Sequence, residues 1–160
     1  MDGARGKAPD TVEQFGIEIG EAMGWPRMAG RVFATLMLHD GPLSMKELQE
    51  ALGASAGAIS EMTRLLDANG VVTRVKIPGT RQTGYAYRDD AWMGCLEHQL
   101  AIATQLLGLA ESSSRTPEAQ AAHTAWRFAD MRAYYTLVRG MYIEAEREFA
   151  ARAVPPAEPA

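Results

Sequence analysis

Apolar residues recur every three or four positions over most of the chain, and in one short stretch they move to alternate positions. In TVEQFGIEIGEAMG, residues 11–24, Val12, Phe15, Ile19 and Met23 fall on one side of a helix. Gly24 ends that helix, and Pro26 suits the first turn of the next. There Met28, Val32, Phe33, Leu36 and Met37 form a second stripe that runs up to Asp40-Gly41-Pro42. LSMKELQEALG opens with Ser44 and Glu47 at capping-box spacing, turns Leu48, Ala51 and Leu52 inward, and stops at Gly53. Ser55 is then placed to cap a fourth helix with Ile59, Met62, Leu65 and Leu66 inward, closed by Asn69-Gly70.

The period then changes. VVTRVKI is β-branched and alternating, and YAYR resumes after PGTRQTG, so the two segments predict a β-hairpin with a Gly- and Pro-rich turn. From Asp90 to about Ala110 a long helix turns Trp92, Leu96, Leu100, Ala103, Leu107 and Ala110 inward. ESSSRTPE breaks it, and Thr116-Pro117-Glu118 is a start signal for a last helix reaching about Ala150. No internal repeat is visible. The expected fold is mainly α with a small β-hairpin: a winged helix-turn-helix core flanked by N- and C-terminal dimerisation helices. The expected divisions are a disordered N-terminus over 1–9, an N-terminal dimerisation helix over 10–24, the winged core over 25–89, C-terminal dimerisation helices over 90–150, and a disordered tail over 151–160.

The fourth helix has an unusual outer face. In GASAGAISEMTRLL, Ser55, Ala56, Gly57 and Ser60 leave it almost bare of bulk. A recognition helix that enters the major groove needs small, polar residues near its N-terminus. Serine hydroxyls can meet base edges or phosphates, Ala56 can meet a thymine methyl, and Arg64 further along can reach a phosphate. A helix packed closely against another helix would also be rich in Gly and Ala. The order of two capped helices followed by a basic hairpin favours the DNA-facing explanation.

Charge supports the same segment. The chain carries a net −4, yet Gly53 to Arg88 holds Arg64, Arg74, Lys76, Arg81 and Arg88 against Glu61 and Asp67, a local +3 that leaves −7 elsewhere. A positive module on a negative body attracts phosphate locally. Arg81, at the tip of PGTRQTG, can enter a narrow minor groove, with Arg74, Lys76 and Arg88 as flanking phosphate contacts. For Arg88 a solvated strand charge is an equal alternative.

At this point GWPRMAGRVFATLMLHDGPLSMKELQEALGASAGAISEMTRLLDANGVVTRVKIPGTRQTGYAY, Gly24 to Tyr87, resembles the MarR-type transcriptional regulators. Within them it is most similar to the branch typified by the choline-responsive GbsR repressors. The resemblance implies a dimer with interlaced terminal helices, presenting two winged modules to a pseudo-palindromic operator in double-stranded DNA. It further implies a repressor released by a small-molecule effector. Two positions depart from the pattern. Thr80 precedes Arg81 where many MarR proteins carry an Asp, and Glu61 stands on the recognition helix where a basic or amide residue would bind DNA more readily.

The remaining chemistry is sparse. A single cysteine, Cys95, excludes an internal disulfide and suits a reducing cytoplasm. Neither a membrane-spanning run nor an apolar signal core is visible, so no export is expected. Cys95 and His98 lie three apart on a helix, but a pair is not a metal site, and no metal or other cofactor is expected. Redox sensing by Cys95 would need an exposed thiol of lowered pKa. No nucleophile–base, paired-carboxylate or phosphate-loop pattern appears, so no enzyme is expected. The last helix is apolar on more than one face, more than one domain needs to bury, which points to a second copy of the chain. Trp25, Trp92, Trp126, Tyr134 and Tyr135 are candidates to line an effector pocket, with plain dimer core as the alternative for each. The different-class alternative for the whole chain is a winged-helix protein-interaction module whose hairpin never reads DNA.

Overall fold

A computed structural model describes residues 11–152, which divide into two compact units at Ala91/Trp92. The first unit contains helices α1 (Thr11–Met23), α2 (Arg27–Met37), α3 (Met45–Leu52) and α4 (Ala56–Ala68) and strands β1 (Leu43–Ser44), β2 (Val72–Lys76) and β3 (Thr83–Tyr87). The helices α5 (Ala91–Ser113), α6 (Pro117–Gln120) and α7 (Ala125–Arg152) follow. The fold is mainly α with a small antiparallel hairpin, a winged helix-turn-helix core flanked by helices. The expected N-terminal segment 1–9 lies outside the described residues, as does all of the expected tail beyond Arg152.

The local signals act where the chain places them. The Glu47 N–H donates to Ser44 Oγ (3.2 Å), and the Ser44 N–H donates back to Glu47 Oε2 (2.7 Å), closing the capping box. Gly53 ends α3 at φ +61°, a left-handed conformation that costs glycine little. Two residues later Ser55 Oγ accepts from the Ala58 N–H (3.2 Å) and opens α4. The tight turn between α3 and α4 is therefore bounded by consecutive capping devices.

The core of the first unit is formed by Val32, Phe33 and Leu36 of α2, Leu48 of α3, Ile59 and Leu66 of α4, and Val71 and Val72 at the entrance to β2, all fully buried. Phe33 connects the layers. Its ring meets Trp25 edge-on at 6.0 Å and Tyr87 of β3 edge-on at 5.8 Å.

Several expectations need correction. The hairpin belongs to a three-stranded sheet in the order β1-β3-β2, with Leu43 opposite Tyr85 and Ser44 opposite Gly84. Two residues are too short to show a period of two, and Ser44 is already spent as a helix cap. In α1 the buried positions are Gly16 and Gly20, while Val12, Phe15, Ile19 and Met23 are only half-buried. Bare backbone, not the apolar stripe, is what approaches α2. Ala51 and Met37, expected inward, are exposed, and Thr63 is buried on α4.

In the second unit α5 runs to Ser113, burying Ala103 and Ala110 and half-burying Leu96, Leu100 and Leu107. Trp92, expected inward, is exposed. The last helix is two helices. Thr116 Oγ1 accepts from the Ala119 N–H and starts only one turn, and Ala121 leaves helical geometry at ψ 138°. The Thr124 hydroxyl bonds the carbonyls of Glu118 and Ala121, and α7 begins after it. It continues to Arg152, two residues into the expected tail, where the Arg152 guanidinium bonds Glu148 (3.2 Å).

Candidate nucleic-acid interface

Helix α4 buries Ile59, Met62, Thr63 and Leu66, and the remaining positions form its outer surface. Ala56, Gly57, Glu61, Arg64, Asp67 and Ala68 are exposed there, and Ser60 is half-buried beside them. Ser55 is exposed at the N-cap, its hydroxyl oxygen engaged by the Ala58 N–H. The first turn thus presents no side chain larger than a methyl or hydroxymethyl group, and its free N–H groups carry the positive end of the helix dipole. Such an end suits a phosphate, and such a face suits close approach to a groove floor.

The hairpin stands beside this helix. Arg74 and Lys76 are exposed and two apart, so they share one face of β2, opposite Tyr85 and Thr83 respectively. The Arg74 guanidinium donates to Thr83 Oγ1 (3.1 Å), which fixes its direction. Between α4 and the sheet lies a cleft of about 280 Å³ lined by Ser60, Thr63, Arg64, Asp67, Arg74 and Tyr85. The structure thus brings Ser60, Arg64 and Arg74 to one cleft. Thr63 and Tyr85 were not anticipated there, nor was Thr83 as the partner of Arg74. The signal for Tyr85 and Thr83 was the alternation of TGYAY, which puts them on the face of Arg74 and Lys76.

Arg81 is exposed at the wing tip, where the turn is held by its neighbour. The Thr80 hydroxyl donates to the Ile77 carbonyl and accepts from the Gln82 N–H, both at 3.1 Å. Thr80 therefore orders the backbone on both sides of Arg81. Arg88 is differently employed. Its Nε and Nη2 each donate to a carboxylate oxygen of Asp90 at 2.8 Å, and this bond holds the Asp90 carboxyl below its ordinary pKa.

A polar link ties α1 to the turn before α4. Glu13 pairs with Arg27 and, at 3.0 Å, with Arg31 Nε, and Arg31 Nη1 donates to the Leu52 carbonyl at the end of α3 (3.4 Å).

The other candidates are placed as follows. Trp25 is buried in the first unit against Phe33. Trp92 is exposed near the start of α5. On α7 Trp126 is exposed with the Arg127 guanidinium 5.5 Å from its ring centre, and Tyr134 meets Tyr135 edge-on at 5.0 Å. Trp126 and Tyr134 stand eight residues apart on that helix, about 12 Å along its axis. Burial raises the Cys95 thiol pKa, opposite to what a reactive thiolate needs. Among the described residues no group of three His, Cys, Asp or Glu side chains could hold a metal ion, and no helix is long and apolar enough to cross a membrane.

Two capped helices at a tight turn, a small-faced second helix and a basic hairpin beside it define a winged helix-turn-helix protein. No family model matches the chain. It is 32% identical over 114 residues to the HTH-type transcriptional regulator MmpR5 of Mycobacterium tuberculosis, an alignment covering 71% of this chain and 68% of that regulator. A crystal structure of a transcriptional regulator superposes with a TM-score of 0.78 at 27% identity, covering 88% of this chain and 96% of that one. The chain belongs to the MarR-type winged helix-turn-helix family of DNA-binding transcriptional regulators, which are not enzymes.

Proposed function

We propose that the chain is a dimeric repressor of the GbsR-like branch, acting in the cytoplasm on a pseudo-palindromic operator and released from it by a small molecule. The proposed DNA contacts are Ser55, Ala56, Gly57, Ser60 and Arg64 from α4, Arg74, Lys76 and Arg81 from the wing, and Arg88 at its base. One observation carries the proposal: Ser60 and Arg64 of α4, just beyond the helix's bulk-free opening, share a cleft with Arg74 of the wing. Such a surface can place a helix in one groove while its cations reach the phosphates beside it.

Dimerisation is assigned to 10–24 and 90–150. The supporting observation is that α7 spans 28 residues and buries none of them, leaving Trp126, Leu137 and Met141 each more than 60% exposed. A stripe of that size asks for a second copy of the chain. The effector is assigned to the aromatic residues of the helical extension, Trp92, Trp126, Tyr134 and Tyr135. Trp25, proposed with them, is buried in the first unit against Phe33.

The test is footprinting of the full chain on the intergenic DNA upstream of its own coding region. The expected result is protection of a near-palindrome whose half-sites are about 10 base pairs, or a multiple, apart. Absence of binding to this DNA and to random duplex alike would instead favour a protein-interaction module.

A further inference from the structure

The outermost stripe of α4 consists of Gly57, Glu61, Arg64 and Ala68, spaced four, three and four apart and all exposed. It lies opposite the buried stripe of Ile59, Met62 and Leu66. A carboxylate therefore occupies the middle of the surface that faces DNA. Among the described residues Glu61 enters no ion pair, although Arg64 stands one turn away. Its neighbours on the N-terminal side, Gly57 and Ala58, are too small to shield it.

We infer that Glu61 is a specificity-determining residue that selects cytosine in each half-site by accepting a hydrogen bond from the cytosine N4 amino group. This inference rests on the proposal that α4 reads a major groove. Glu61 repels phosphate, so on that helix it weakens binding everywhere except where a base edge offers a donor. Guanine shows N7 and O6 to the major groove and thymine shows O4, all acceptors that oppose a carboxylate. Adenine N6–H stands between two acceptors, its own N7 and the O4 of the paired thymine, whereas cytosine N4–H has an acceptor, the O6 of the paired guanine, on one side only. The residue thus discriminates by repulsion as much as by attraction, which is how a charge that costs affinity can still serve specificity.

The experiment uses the full chain and a duplex library with a randomised core. The motif enriched by the wild-type protein is then tested with every base at every position, against Glu61→Ala, Glu61→Gln and, as a charge control on the cleft side of the same helix, Asp67→Asn. Wild-type protein is expected to discriminate about fivefold or more for cytosine at one position per half-site. Glu61→Ala flattens that position, and Glu61→Gln moves its preference toward adenine, whose N6 and N7 match an amide. Asp67→Asn leaves that position's preference intact. If both Glu61 variants bind every sequence more tightly by one common factor and enrich the wild-type motif, the inference is overturned and Glu61 is only a repulsive charge. A wild-type protein that enriches no motif overturns the underlying DNA-reading proposal as well.

Discussion

Gly30 and Gly16 are in backbone contact: a Cβ added at Gly30 would lie 2.9 Å from both the Cα and the carbonyl oxygen of Gly16. Neither obstacle is a flexible side-chain end, so α1 itself would have to move away from α2. Overpacking of this kind costs about 1–3 kcal/mol. Alanine returns up to about 1 kcal/mol through its helix propensity. Gly30→Ala is therefore expected to lower the denaturant midpoint, with the loss smaller than the overpacking alone. A midpoint equal to or above that of the wild type would mean that the two helices separate without strain.

Arg81→Ala is expected to weaken operator binding by about 1–3 kcal/mol if the side chain reads a groove. Thr80 keeps its own two hydrogen bonds in that variant, so the wing tip retains its shape. Titration over a salt series separates the mechanisms. A contact to phosphate alone weakens all sequences alike and flattens the salt slope, whereas groove reading loses more on the operator than on random duplex. Unchanged affinity for both would remove Arg81 from the interface.

Acid should loosen the start of α3. The Ser44 hydroxyl and backbone N–H bond the Glu47 carboxylate and hold its pKa below the ordinary value of 4.5. A depressed folded pKa contributes stability that is complete above the unfolded value and is lost as pH falls through the folded one. Glu47→Gln is thus expected to reduce stability at neutral pH and to shallow the decline below about pH 4.5. Denaturation series at pH 7 and pH 3 check this, and parallel wild-type and variant curves would exclude the capping box as the cause.

A chain ending at Ser114 lacks α6 and α7 and with them the exposed Trp126, Leu137 and Met141. It is expected to become monomeric or to aggregate, and to lose operator affinity because two modest half-site contacts no longer act together. Light scattering reads the first effect and a gel shift the second. A truncated chain that remains a well-behaved dimer would move the interface away from α7.

Much of the winged unit was legible because its signals are local. Ser44 with Glu47, Gly53 and Ser55 each act within four residues, so the limits of α3 and α4 follow from sequence order alone. The alternation of VVTRVKI and YAYR likewise announced the hairpin, and the basic residues from Arg64 to Arg88 marked the charged module. The small face of α4 was visible for the same reason, since helical spacing separates its outer residues from Ile59, Met62 and Leu66 without any knowledge of neighbours.

What the tertiary structure alone decided depends on partners distant in sequence. The two residues of β1 become a strand only because β3, some forty positions later, presents Gly84 and Tyr85 to them. The α1 glycines become its buried face only when Gly30 of α2 meets Gly16 and the backbone of Trp25 and Arg27 meets Gly20. The break before α7 follows from the Thr124 hydroxyl reaching back to Glu118 and overriding a start signal that was sound in itself. The employment of Arg88 by Asp90, and of Arg74 by Thr83, likewise could not be read from charge counts. Periodicity and capping determine which residues can form an element, whereas pairing, close approach and the direction of a charged side chain are set by whatever the fold brings opposite.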